Sequence, residues 1–271
     1  MPTPFEPGRA AASSRADPGS AARARPKTAL VTGASRGIGR AIALSLAAAG
    51  LRVAIHHRDS QALADAVAEE APGGDHVVLR ADLADPDEAR MLARRAATGL
   101  GGLDVVVNNA GIFLAHPPAR TDWATWRATW EETLRVNLLG PAHVVFGALE
   151  ALADGGRIVN VSSRGAFRGE PDSPAYGASK AGLNALGQSL AVALAPRRIT
   201  VTTVAPGFVE TDMANEALKA PRGEAVRAQS PFGRVATAAE VAEAVRWLAL
   251  DAPEWMSGAI LDCNGASYLR T

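Results

Sequence analysis

Two residues stand out as capable of chemistry. Tyr176 and Lys180 are four apart in Tyr176-Gly177-Ala178-Ser179-Lys180, so a helix there puts both side chains on one face. A phenol ordinarily titrates near ~10 and exchanges protons poorly at neutral pH. A neighbouring ammonium favours the phenolate and lowers that value, which makes the pair a candidate proton exchanger. Lys180 is one of only three lysines, with Lys27 and Lys219, in a chain that otherwise uses arginine. An ammonium on a flexible stem can reach a ribose where a planar guanidinium fits less well. Taken alone, Tyr-x3-Lys reads more readily as a chance pair on a solvated face.

Other groups remove that reading. Ser163 lies thirteen residues before Tyr176, just after Asn160-Val161-Ser162. Asn108-Asn109-Ala110-Gly111 follows the apolar run Val105–Val107, and Asn137 falls in a long helical pattern after Asp122. Near the start stands Thr32-Gly33-Ala34-Ser35-Arg36-Gly37-Ile38-Gly39. Gly33 permits a tight turn, Gly37 lets backbone approach a pyrophosphate at a helix N-terminus, and Gly39 allows close helix–strand contact. The spacing differs from G-x-G-x-x-G and from the Walker loop, which needs Gly-Lys-Ser/Thr.

These residues need elements to position them. Short apolar runs at Thr28–Thr32, Arg52–His56, Val77–Leu79, Val105–Val107, Ile158–Val161, Ile199–Val204 and Ala259–Leu261 read as strands. Helical patterns fall at Gly37–Ala49, Gln61–Glu70, Pro86–Thr98, Ala175–Ala195 and Ala238–Leu250. Strand alternating with helix argues for a parallel sheet covered on both faces. The glycine turn then sits between the first strand and the first helix, where a phosphate site belongs.

Together the motifs resemble the short-chain dehydrogenase/reductase family, particularly its 3-oxoacyl-carrier-protein reductase-like members, from about Lys27 to Leu261. The resemblance rests on Thr32–Gly39, Asp82, Asn108–Gly111, Asn137, Ser163, Tyr176, Lys180 and Pro206-Gly207-Phe208-Val209-Glu210-Thr211. It implies a single doubly wound α/β domain of Rossmann type, with a seven-stranded parallel sheet in the order 3-2-1-4-5-6-7. It also implies an NAD(P)-dependent enzyme that interconverts a carbonyl and a secondary alcohol by hydride transfer. Tyr176 is then the general acid/base, Ser163 holds the substrate oxygen, and Lys180 binds the nicotinamide ribose and depresses the phenol. Asn137 holds a water linking Lys180 to solvent. Pro141, four residues on, denies the Asn137 carbonyl its helical donor. That means either a kink with a freed carbonyl or a simple break at Gly140-Pro141.

The resemblance also assigns cofactor contacts to Gly33, Ser35, Arg36, Gly37, Ile38 and Gly39. Asp82 and Leu83, Asn108, Asn109, Ala110 and Gly111, and Pro206, Gly207, Val209 and Thr211 join them. Asp82 takes the adenine amine, unless it is only a helix-entry cap. The second strand ends Ile55-His56-His57-Arg58. His57 stands where an acid would bind the ribose 2′-hydroxyl of NAD, with Arg58 beside it and Arg36 in the turn. The two arginines suit a 2′-phosphate, so NADP(H) is expected, with NAD(H) possible. Otherwise they are solvated charges, and a slip of register would bring Asp59 to the acid position.

Composition bounds the alternatives. The chain has 271 residues, 48% hydrophobic and 21% charged, an ordinary globular balance. Its 28 Lys+Arg match 28 Asp+Glu, which removes the footprint of a dedicated nucleic-acid binder. One cysteine, Cys263, forbids an internal disulfide, and no metal site is expected. No apolar run reaches the ~20 residues that span a bilayer. Residues 1–26 hold five prolines and seven alanines with few large apolar side chains, and read as a disordered N-terminal tail. The domain is expected over 27–271, in a cytoplasmic protein.

Trp123, Trp126 and Trp130 share a helical face, as a core or subunit-contact stripe or an aromatic substrate wall. His116 and His143 lack metal-ligand spacing. Segments 112–120, 164–174 and 208–233 should choose the substrate, a small carbonyl or alcohol compound. Arg164 and Arg168 either attract an anionic or carrier-linked one or are merely solvated. Family members form dimers or tetramers through helices matching 121–153 and 175–195, so a homo-oligomer is expected. The competing functions are a non-catalytic nucleotide sensor on the same scaffold and a dehydratase or epimerase.

Overall fold

In a computed structural model, which describes residues 28–219 and 222–270, the strands β1 (Thr28–Val31), β2 (Arg52–His57), β3 (Val77–Arg80), β4 (Leu103–Asn108), β5 (Leu152–Val161), β6 (Thr200–Pro206) and β7 (Ile260–Cys263) form one sheet. The order is β3-β2-β1-β4-β5-β6-β7, and every pairing is parallel. The tail expected over 1–26 lies outside the described residues.

Strand alternation divides the core. Ala29, Val31, Val53, Ile55, Val105, Val107 and Val159 face one side, with α1 (Gly37–Ala48), α2 (Gln61–Glu70) and α10 (Ala238–Leu250) packed on them. Leu30, Ala54, Val106, Ile158 and Val201 face the other, against α3 (Pro86–Leu100) and α5 (Gly140–Ala148). The inner strands β2, β1, β4, β5 and β6 are largely buried, which is why they read as continuous apolar runs, whereas the edge strands β3 and β7 are only partly covered.

α4 (Trp123–Leu134) does not break before Pro141. It passes through a π-helical turn, Arg135–Leu139, directly into α5. The wider i→i+5 spacing absorbs the missing proline donor, so the segment stays helical and the break alternative falls. α6 (Gly165–Arg168) is one turn, and α7 (Pro174–Leu194) carries the Tyr-Lys pair along 21 residues. Two short helices, α8 (Asn215–Leu218) and α9 (Arg222–Arg227), precede α10. β5 begins at Leu152, well before the expected Ile158, because Leu103 pairs with Leu152 ahead of an irregularity in the register.

Trp126 and Trp130 pack edge-on around buried His116, at 5.3 and 6.4 Å between centroids, whereas Trp123 is exposed. His116 Nε2 accepts the Ala175 N–H at the start of α7. This cluster therefore anchors the helix that carries Tyr176.

Candidate active site

Neighbouring strands β1 and β4 lie where the strand order reverses, the point at which a parallel sheet opens a crevice. Side-chain hydrogen bonds join the loops that follow them. Thr32 Oγ1 accepts the N–H groups of Asn109 and Ala110 at 2.9 and 3.0 Å. Asn109 Nδ2 donates back to the carbonyls of Thr32 and Gly33 at 2.8 and 3.1 Å. Gly33 adopts φ +63°, and a Cβ on it would meet Ala110 Cα at 2.9 Å. A Cβ on Gly39 would fall on the Gly33 carbonyl, so helix and turn meet as closely as the motif implies.

His56, which the sequence reading passed over for His57, holds this turn from behind. Its Nδ1 accepts the Gly33 N–H at 2.9 Å, and Nε2 bonds the Ala81 carbonyl at 3.0 Å. Burial lowers its pKa to about 4, with His57 and Arg95 adding and the Ala81 bond opposing. The imidazole is therefore neutral, with its proton on Nε2. No spacing rule distinguishes two consecutive histidines. Only the strand register sends His56 toward the turn.

His57 is also buried. Its Nε2 meets Gln61 Oε1 at 2.8 Å, and its Nδ1 has no partner. Arg58 pairs with Asp59, whose hydrogen bond raises the guanidinium's pKa. Arg36 is exposed at the N-cap of α1 and makes no ion pair among the described residues. Ser35 beside it is buried. Asp82 Oδ1 accepts the Ala84 N–H at 2.9 Å, while the cap of α3 is Asp85, which removes the capping alternative for Asp82. Leu83 is buried beneath Gly140. Asn108 is committed to the interior, its Nδ2 donating to Asn160 Oδ1 at 2.9 Å.

After β5 the two serines part. Ser162 is buried and donates to the Lys180 carbonyl. Ser163 Oγ accepts the Gly165 N–H at 3.0 Å and acts on the Tyr176 hydroxyl. Ser163 is thus the serine beside the phenol, as the spacing indicates. The Lys180 ammonium donates to the Val161 carbonyl at 2.9 Å and lies 5.8 Å from the Tyr176 ring centroid. Phe113, on the first substrate segment, meets that ring edge-on at 5.1 Å.

The expected lowering of the phenol's pKa is not what this arrangement does. Burial pushes Tyr176 up to about 12; the Ser163 bond pulls it down and the charge of Glu170 adds to the rise. Burial also lowers Lys180 to about 8. The ammonium lies across the ring and is directed to a carbonyl, so it does not offset the desolvation of the phenolate.

Asn137 is fully buried. Its Oδ1 accepts the Ile112 N–H at 2.8 Å, and its Nδ2 donates to the Ile112 carbonyl at 2.9 Å and to Ser179 Oγ at 3.1 Å. It ties the β4 loop to α7. Gly111 lies between them, since a Cβ there would sit 3.4 Å from both Asn137 Oδ1 and Lys180 Nζ. The segment after β6 closes the crevice. Gly207 donates to the Cys263 carbonyl, Val209 bridges Ala236, and a Cβ on Gly37 would meet the Thr211 methyl at 3.3 Å.

The donor set suits a dinucleotide. The start of α1 carries no side-chain cap and no acid in its first turn, so its N–H groups suit a pyrophosphate. The Lys180 ammonium, hydrogen-bonded to one carbonyl, suits ribose hydroxyls.

Comparison with known proteins agrees with this geometry. The family model described as enoyl-(acyl carrier protein) reductase matches residues 33–265. The 3-oxoacyl-[acyl-carrier-protein] reductase FabG of Staphylococcus aureus is 38% identical over 247 residues, covering 90% of this chain and 98% of that protein. A short-chain dehydrogenase from Burkholderia cenocepacia, solved in complex with NADP, is 39% identical with TM-score 0.82, over 89% of this chain and 97% of that one. The angucycline C-6 ketoreductase LanV with bound NADP is 38% identical with TM-score 0.80, over 88% and 94%.

Proposed function

The chain belongs to the short-chain dehydrogenase/reductase family, and from that premise we propose that it is an NADP(H)-dependent reductase of a small ketone, with Tyr176 as its proton donor. The observation that carries the reading is the convergence of Ser163, Tyr176 and Lys180 beside Gly111 and the glycine turn. When bound, a nicotinamide would supply the hydride that the carbonyl carbon needs. Ser163 hydrogen-bonds the carbonyl oxygen and orients it. Tyr176 gives that oxygen its proton, so one hydride and one proton convert the ketone to a secondary alcohol. A phenol with a pKa near 12 is fully protonated at neutral pH, the state a reduction needs. Lys180 holds the ribose, and Asn137 fixes the loop and relays protons from solvent through a water.

Arg36 and Arg58 would hold the 2′-phosphate. Arg58 can exchange its exposed partner Asp59 at little cost, since such surface pairs contribute about 0–1 kcal/mol. Two relatives carry NADP in their structures, which supports the preference. A homo-oligomer, dimer or tetramer, is part of the proposal: Phe146 on α5 and Val192 on α7 are 65% and 78% exposed on helices expected to pair. So is a cytoplasmic location.

The test is a screen of ketones and alcohols by nicotinamide absorbance with NADPH and NADH. NADPH should give the higher kcat/KM, and Tyr176→Phe should lower turnover on the order of 10³-fold while keeping NADPH affinity. Unchanged turnover in that variant removes Tyr176 as the acid. Absence of any redox turnover returns the nucleotide-sensor or dehydratase and epimerase alternatives.

A further inference from the structure

Arg164 directly follows Ser163 and is only 4% exposed. Its guanidinium lies over the Phe208 ring at 5.0 Å and donates to Gln229 Oε1 at 2.5 Å. Arg168, at the end of α6, donates to the same oxygen at 3.0 Å. Two cations therefore converge on one neutral amide oxygen. Neither forms an ion pair with a carboxylate among the described residues; Glu170 reaches Arg164 only through its field. Burial and the charge of Arg168 press the Arg164 pKa down to about 10. A cation removed from water without a counterion is unfavourable for the fold by itself, and such groups mark sites where a ligand completes the charge balance.

A cavity of about 300 Å³ adjoins Arg164, walled by Phe208, Ser230, Phe232 and Cys263. The two carboxylates that line it, Glu240 and Asp262, are already paired with Arg234 and Arg270. Arg164 is the lining cation left without a carboxylate. Asn264, Gly265 and Ser267 also line the cavity, and beyond them Tyr268 donates to the Phe167 carbonyl and Arg270 covers the Phe167 ring at 4.4 Å.

We propose that Arg164 and Arg168, held in register by Gln229, form an anion subsite that takes a carboxylate or phosphate carried by the ketone substrate. This deepens the reductase reading and rests on it. Arg164, Arg168, Phe208 and Gln229 all fall on the two segments, 164–174 and 208–233, expected to choose the substrate. A guanidinium fork suits either anion.

The experiment compares kcat/KM for keto acids, their methyl esters and phosphate-bearing ketones, with NADPH, in wild type, Arg164→Met and Gln229→Glu. Gln229→Glu is close to isosteric and places a carboxylate between the two guanidiniums. Wild type should prefer the anionic member of a matched pair at least tenfold, and both variants should bring that ratio near one. Which anion gains identifies the source of the charge. A wild-type ratio near one, or a preference that survives both variants, overturns the subsite while reduction of the esters leaves the reductase reading intact. If no ketone is reduced, calorimetric titration of the corresponding hydroxy acids and of inorganic phosphate into the full chain decides. Binding at least tenfold weaker in Gln229→Glu supports the subsite, and equal or absent binding in both proteins overturns it.

Discussion

Burial is the largest cause of the pKa shifts of Tyr176, Lys180 and His56. Lys180 enters the site as an ammonium whose pKa burial has lowered to about 8. If it holds the ribose, NADPH affinity should fall as pH rises through 8, because deprotonation removes a charge and a donor. Fluorescence titration of NADPH against pH checks this, and Lys180→Met should lack that limb of the profile. His56 gives a second, independent pH signature. Its folded pKa near 4 lies below the ordinary 6.5, so the unfolded chain takes up the proton first. Stability is then complete above 6.5 and falls as pH drops toward 4, by up to about 3 kcal/mol. Urea unfolding at pH 7 and 4.5 measures it, and His56→Gln should flatten the difference.

Close approach between helices positions the site at the next scale. α3 and α5 cross so tightly that a Cβ on Gly147 would fall inside the Arg90 carbonyl. Backbone cannot yield as a flexible side chain can, so Gly147→Ala should cost about 3 kcal/mol in chemical denaturation. α5 is continuous with the π turn that holds Asn137, so the same substitution should disturb the Asn137–Ile112 bonds and lower kcat. A variant as stable and active as wild type would show that the helices have room to separate. The elements themselves were legible. Apolar runs bounded by glycine and charge located all seven strands, the inner five because buried strands are apolar on both faces and the edge pair because their short β-branched and aliphatic runs lie between turn residues. The π turn was legible only as a choice between kink and break, since Pro141 removes a donor without dictating how the chain compensates.

Across the whole molecule, the remaining exposed apolar groups bear on assembly. Phe146 and Val192 project from α5 and α7, 65% and 78% exposed. If the proposed oligomer pairs through these helices, Phe146→Glu should shift it toward monomer in light scattering and leave the circular dichroism spectrum unchanged. An unaltered assembly would place the contact elsewhere.

The sequence by itself determined the alternation of strand and helix, the glycine turn and the Tyr-x3-Lys pair, because these follow from local period and from spacing along single elements, whereas the sheet order and the roles of the Ser-Tyr-Lys set came through the family resemblance. It also pointed to Ser163 over Ser162. Tertiary structure alone decided that His56 supports the turn, that Asn108 faces Asn160, and that Arg164 meets Arg168 on one Gln229 oxygen. It also decided that the phenol's pKa rises. Those outcomes depend on strand register, on desolvation and on pairs as many as 65 residues apart, and no short-range pattern in a chain carries that information.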